Sequence, residues 1–221
     1  MSGGPRTPLT DPAARVLDYL SDLGFRDLYL GSPPASAAQE ALEALAEEAA
    51  GCRRCRLAEG RTQVVFASGS PSAELMFIGE GPGAQEDRQG LPFVGPAGQL
   101  LDRIIQAIGR QREEVYIANI VKCRPPGNRD PQPDEVAACR GYLEQQIEWV
   151  RPRVIVLLGR VAAQVLLATD QSLSRLRGEW LEVSGVAARV TYHPAALLRN
   201  ESLKRPCWQD MQHVRARLDG R

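Results

Sequence analysis

Short apolar runs alternate along this chain with stretches in which apolar residues recur every three or four positions. Leu75 to Ile78, Val115 to Val121 and Val154 to Leu158 are continuous runs of strand length, as expected of strands buried on both faces. A further candidate strand covers Arg61 to Ala67, and the first run is read as a strand from Glu74 to Gly79. Between them lie helical patterns. Ala97, Leu100, Leu101, Ile104, Ile105 and Ile108 fall on one helical face from Pro96, and Gly109 follows as a natural stop. Pro133, followed by Asp134 and Glu135, opens a helix to about Val150. Others are expected at Val161 to Leu167 and Pro206 to Leu218, with a hairpin between Glu179 and Val190 turning at Gly185. This alternation predicts an α/β fold: a three-layer α/β/α sandwich with a mostly parallel central sheet.

Upstream, the pattern changes. Met1 to Pro12 is rich in proline, glycine and threonine, Ala14 to Leu30 suggests a helix broken at Gly24, and Gly31-Ser-Pro-Pro precedes a second helix, Ser36 to Ala50. Residues 1–50 hold three arginines against eight Asp or Glu, a net charge of −5, so in a chain of zero formal charge the remainder carries +5. The expected organisation is an acidic helical extension (1–50), suited to a protein partner, followed by a mildly basic domain (51–221). That charge is compatible with a polyanionic partner without demanding one. No apolar run reaches membrane-spanning length and the N-terminus lacks a signal core, so a soluble cytoplasmic protein is expected.

The longest interruption is Gly79 to Gly98, with six glycines and three prolines between a strand and a helix. A loop of about 18 residues without periodicity is more often functional than not. It carries Glu80, Glu86 and a lone bulky aromatic, Phe93, and strand ends in open α/β sheets are where ligands bind. It is neither a phosphate loop with its lysine nor a dinucleotide fingerprint. Asn119 interrupts an apolar strand; such an amide is satisfied by backbone or faces a planar ligand bearing both a carbonyl and an N–H. His193, before Pro194 at a strand end, is the better placed of two histidines; His213 reads as a surface residue of the last helix. No Ser-His-Asp order is evident. Five cysteines in such a chain suggest metal ligands or free thiols. Cys52 and Cys55 form a C-x2-C pair, with Cys123 and Cys139 further on; four thiolates suit zinc or a [4Fe–4S] cluster equally by count. Cys207 is left over as a packed thiol.

The segments GEGPGAQED, GLPFVGPAGQLL, IANIVKCRPPGNRDPQPDE and HPAALLRN, in order and with this cysteine spacing, closely resemble the family 4 uracil-DNA glycosylases, the iron–sulfur branch of that superfamily. The resemblance runs from about Gly51 to the end. It implies excision of uracil from DNA to leave an abasic site, with a [4Fe–4S] cluster on Cys52, Cys55, Cys123 and Cys139, in a monomeric, nucleoid-associated repair enzyme. By that resemblance Phe93 stacks on the flipped base, Asn119 reads its 4-carbonyl and N3–H beside Gly79, and Glu86 excludes a 5-methyl group. His193 and the backbone of Glu80-Gly81 stabilise the leaving anion, and Glu80 or Glu86 positions the water. Gly81 stands where family 1 enzymes carry an aspartate, and no basic insertion follows Val121, so hydrolysis without a covalent DNA adduct is expected. Arg124, Arg129, Arg199 and Arg205 are expected at phosphates, and Leu198, after Leu197, as a wedge in the base stack. The rival reading is a non-catalytic iron–sulfur module that binds DNA or recruits a polymerase.

Overall fold

In the computed structural model, residues 35–220 and Tyr19 are described. The chain divides between Ser32 and Pro33, and the helix expected from Ala14 to Leu30 lies, but for Tyr19, outside the described residues. Among the described residues six strands form one sheet in the order β1-β3-β2-β4-β6-β5. The central strands β2 (Leu75–Gly79), β3 (Tyr116–Asn119), β4 (Val154–Leu158) and β6 (Val186–Thr191) are parallel. The edges β1 (Ser68–Gly69) and β5 (Trp180–Val183) run antiparallel to their neighbours.

Successive residues of a strand point to opposite faces, and both faces here are apolar. Leu75, Phe77, Ile117, Val154 and Val156 face one cluster, while Met76, Ile78, Ala118, Ile155 and Leu157 face the other. The first layer is closed by α4 (Pro96–Ala107) through Leu101 and Ile105 and by α9 (Lys204–Leu218) through Met211 and Val214. The second is closed by α5 (Pro133–Val150), through Tyr142, Leu143 and Ile147, and by α6 (Arg160–Leu166). Full burial of each such side chain stabilises by about 1.5–3 kcal/mol. The architecture is the expected three-layer sandwich.

Helix α1 (Ala35–Ala50) presents Ala38, Leu42, Leu45 and Ala49 inward, and the last three join the α5 layer. Tyr142 Oη donates to Glu48 Oε1 at 3.3 Å across that contact. Arg61 to Ala67 forms no strand: its one backbone–backbone bond to the body runs from Val65 N–H to the Lys122 carbonyl, and only Ser68 and Gly69 pair with β3. After α2 (Leu57–Gly60), the long glycine-rich loop holds a helix that its sequence does not announce, α3 (Ala84–Gln89). The remaining short helices are α7 (Leu173–Leu176) and α8 (Pro194–Arg199). The chain steps from β2 outward to β3 and then back across to β4, so loops after β2, β3 and β6 converge at the carboxyl edge of the sheet.

Candidate active site and cysteine cavity

Those loops enclose a cleft of about 420 Å³, lined among others by Glu80, Gly81, Glu86, Phe93, Asn119 and His193. Small-molecule sites run to roughly 300–1,000 Å³. The three side chains singled out on separate segments are thus brought together. Behind them stands Gly79, at the end of β2: a Cβ there would lie 2.5 Å from Asn119 Oδ1 and 2.6 Å from Phe93 Cζ. Glycine is what lets the ring and the amide approach each other.

Asn119 is 2% exposed at the end of β3, and among the described residues its Oδ1 has no hydrogen-bond partner. Leaving a buried acceptor unpaired costs about 1–3 kcal/mol. An oxygen held in that condition on a cleft wall is complementary to a ligand N–H. Phe93 is 6% exposed, and its ring centroid lies 5.5 Å from that of His193, tilted by 32°. His193 caps α8: the backbone N–H of Ala195 donates to Nδ1 at 3.2 Å. The proton of the neutral ring therefore sits on Nε2. Burial, reinforced by Arg199 and opposed by Glu86, lowers the His193 pKa to about 4, so the ring is a neutral donor at pH 7.

Glu86 on α3 accepts the N–H groups of Val94 and Gly95 on one oxygen, both at 2.9 Å, and so anchors the turn after Phe93. Burial, with the nearby charge of Asp130, raises the Glu80 pKa to about 7, against the opposing pull of Arg160. Arg160 pairs with Asp130 across this edge. Among the arginines expected at DNA, Arg129 and Arg199 line the cleft. Arg129 is bound by both oxygens of the buried Glu135, at 2.6 and 2.8 Å. The Arg124 Nε donates to Asn128 Oδ1 at 2.8 Å. Arg205 is exposed at the start of α9, outside the cleft lining. Leu197 is core, 2% exposed, whereas Leu198 is 46% exposed.

A second cavity is lined by Cys52, Cys55, Cys123 and Cys139. They arrive from the segment before α2, the loop after β3, and α5. Among the described residues no three His, Cys, Asp or Glu are grouped tightly enough for a single metal ion. Four thiols around one void are a donor set that fits a thiolate-bound metal centre. Donors to sulfur are in place: Arg61 Nη1 reaches Cys123 Sγ at 3.2 Å and the Lys122 N–H reaches Cys139 Sγ at 3.3 Å. Burial raises the pKa of both thiols, so a bound metal centre or neighbouring cations must favour their thiolates. Lys122, which the sequence did not mark out, is 1% exposed; its ammonium donates to the Asn119 carbonyl at 2.8 Å and to Gln146 at 2.5 Å. Its position between Asn119 and Cys123 was the one available signal.

Residues 66–212 match the family described as the uracil DNA glycosylase superfamily. The type-4 uracil-DNA glycosylase of Sulfurisphaera tokodaii is 42% identical over 80% of this chain and 84% of its own length. That of Archaeoglobus fulgidus is 43% identical over 79% and 92%, and that of Thermotoga maritima 42% over 80% and 95%. The chain belongs to the uracil-DNA glycosylase superfamily, within its type-4 branch. Such a chain stands among hydrolases of N-glycosyl bonds.

Proposed function

We propose that this protein removes uracil from DNA by hydrolysing the bond between the base and its deoxyribose, leaving an abasic site. The observation that carries this reading is the unpartnered Asn119 Oδ1 on the cleft wall. Uracil offers it the N3–H, and the side-chain amide donates to the 4-carbonyl; cytosine presents the reverse pattern at both positions. A bidentate match of this kind discriminates by about 1–3 kcal/mol. The base reaches the cleft only by flipping out of the helix. Phe93 stacks on its face, which gives affinity whatever the base.

In the reaction the C1′–N1 bond breaks, its electron pair leaves with uracil, and water supplies the hydroxyl at C1′. Negative charge grows on the uracil O2, and the neutral His193 directs its Nε2–H there. One preorganised donor of this type contributes about 2.7–4 kcal/mol in the transition state. Glu80, beside Gly81, orients the water and takes its proton. Glu86 holds the Val94–Gly95 turn against the edge of the base. Arg199, Arg205 and Arg124 meet phosphates, Arg129 fixes the cleft wall, and Leu198 enters the stack.

Cys52, Cys55, Cys123 and Cys139 would hold a [4Fe–4S] cluster, whose Fe–S bonds tie three segments of the chain together. The donors to Cys123 and Cys139 support this assignment. The acidic charge of residues 1–50, part of it on α1, is the feature suited to a protein partner.

The test is an end-labelled oligonucleotide with a single uracil, incubated with purified protein and treated with alkali, beside His193→Ala and Asn119→Ala. Cleavage at uracil is expected, with none at a thymine control and losses of at least about 100-fold in His193→Ala. No cleavage by protein with its full iron content overturns the reading.

A further inference from the structure

Phe93 is held in a conformation it would not choose. Its φ is +52°, in the left-handed region that costs a non-glycine residue free energy and that persists only when surrounding contacts over-determine it. Gly98, in the first turn of α4, removes one obstacle: a Cβ there would fall 1.8 Å from the Phe93 carbonyl oxygen. What holds that oxygen is a side chain from elsewhere.

Arg112 lies in the short turn Arg112–Glu114 between α4 and β3. Its Nη1 donates to the Phe93 carbonyl at 3.2 Å and to Asp102 Oδ1 on α4 at 2.6 Å. Its Nη2 donates to the Pro92 carbonyl at 2.6 Å and to Ser68 Oγ on β1 at 3.3 Å. One planar guanidinium thus grips two consecutive carbonyls, at the strained residue and the one before it, and is itself fixed by α4 and the sheet edge. The Asp102 carboxylate orients the fork, and a lysine cannot reproduce it. Arg112 does not line the cleft.

We infer that Arg112 is the positioning residue for the Phe93 stacking platform: it sets the ring plane against which the base lies, and so contributes to base affinity without touching the base. This rests on the proposed uracil pocket.

The test is a double-mutant cycle on the full chain, reading inhibition by free uracil alongside KM and kcat on a uracil-containing oligonucleotide. Arg112→Met is expected to weaken uracil inhibition and raise KM by about tenfold, a share of what base–aromatic stacking contributes. In a Phe93→Ala background the same substitution should change both by less than about twofold, because interacting residues are not additive. Arg112→Lys should fall between wild type and Arg112→Met. Melting temperatures accompany every variant, and Asp102→Asn, which frees the fork while keeping its shape, gives a milder second route to the same loss of uracil affinity. Equal losses in both backgrounds, or Arg112→Met with unchanged uracil inhibition, overturn the inference while leaving the pocket intact. A wild-type protein that neither cleaves at uracil nor is inhibited by it overturns the pocket itself, and the inference with it.

Discussion

At the scale of single residues the cleft is built from groups held in states that water would not leave them in. The Asn119 oxygen is buried without a partner among the described residues, a cost to the folded protein that a ligand N–H would relieve. Asn119→Leu, close in shape, should therefore lose at least about tenfold in kcat/KM on uracil while melting no lower than wild type. A lower melting temperature would show that the amide is a structural one after all. Glu80 is a second case. With a pKa near 7 it is protonated on the acid side of neutrality, so activity that needs its carboxylate must rise with pH through about 7. Its raised pKa also means that the folded state gains from the proton: that contribution is full below the ordinary carboxyl value of 4.5 and is lost as pH rises through 7. A pH profile of kcat/KM for wild type and Glu80→Gln checks this; the acid limb should vanish in the variant. Asn119, Phe93 and His193 were legible in the sequence because each breaks a local pattern: an amide in an apolar strand, a ring in a glycine loop, a histidine at a strand end. Arg112 was not, because nothing local distinguishes one arginine in a polar turn; only the fold brings it to the carbonyls of Pro92 and Phe93.

Among the elements, the central strands and the long helices followed from periodicity, since both faces of the sheet are buried and its runs are continuous. Two elements departed from periodicity, each for its own reason. Arg61 to Ala67 looked like a strand, yet the edge place beside β3 is taken by Ser68–Gly69, and its backbone bonds mostly to side chains, Thr62 N–H to Asp87 and the Phe66 carbonyl to Gln146, with one bond to backbone, at Lys122. Helix α3 is six residues long, too short for a period to emerge, and is held through Glu86 to the turn it precedes. On the cleft wall, charge pattern alone does not separate two arginines. Arg129 and Arg199 look equivalent in sequence, but Arg129 forks onto the buried Glu135, which also caps α5 by accepting the Gln132 N–H at 2.8 Å. Arg199 is exposed at the end of α8. Arg199→Ala should weaken binding to uracil-containing duplex DNA and lower the slope of log K against log salt by about 0.9, the loss of one phosphate contact. Arg129→Ala should instead lower the melting temperature, by leaving the buried Glu135 carboxylate with Arg56, at 3.5 Å, as its remaining cation among the described residues. Salt titrations and thermal melts of the two variants distinguish the roles; a full salt-slope change in Arg129→Ala with an unchanged melt would reverse the assignment.

Across the whole molecule, the cysteine cavity and the cleft are not independent. Cys123 opens the loop whose later residues Pro125, Asn128, Arg129 and Asp130 form one wall of the cleft. Lys122, one residue earlier, donates its backbone N–H to Cys139 and its ammonium to the Asn119 carbonyl. The motifs could place four thiols near one another only through the resemblance they carry; that Lys122, three residues beyond Asn119, lines the void they share follows from the packing of α5 against the sheet. A cluster on these thiols would brace the wall as well as the fold. Cys139→Ser should lower the iron content of the purified protein and its melting temperature. It should also speed amide hydrogen exchange across residues 123–130 and raise KM on the uracil oligonucleotide, while kcat changes less, because His193 and Phe93 hang from β6 and the β2 loop. Exchange through 123–130 is the deciding measurement. If iron is lost and the melt falls but that segment exchanges as in wild type, the cysteines stabilise the domain at large and the cleft wall stands without them.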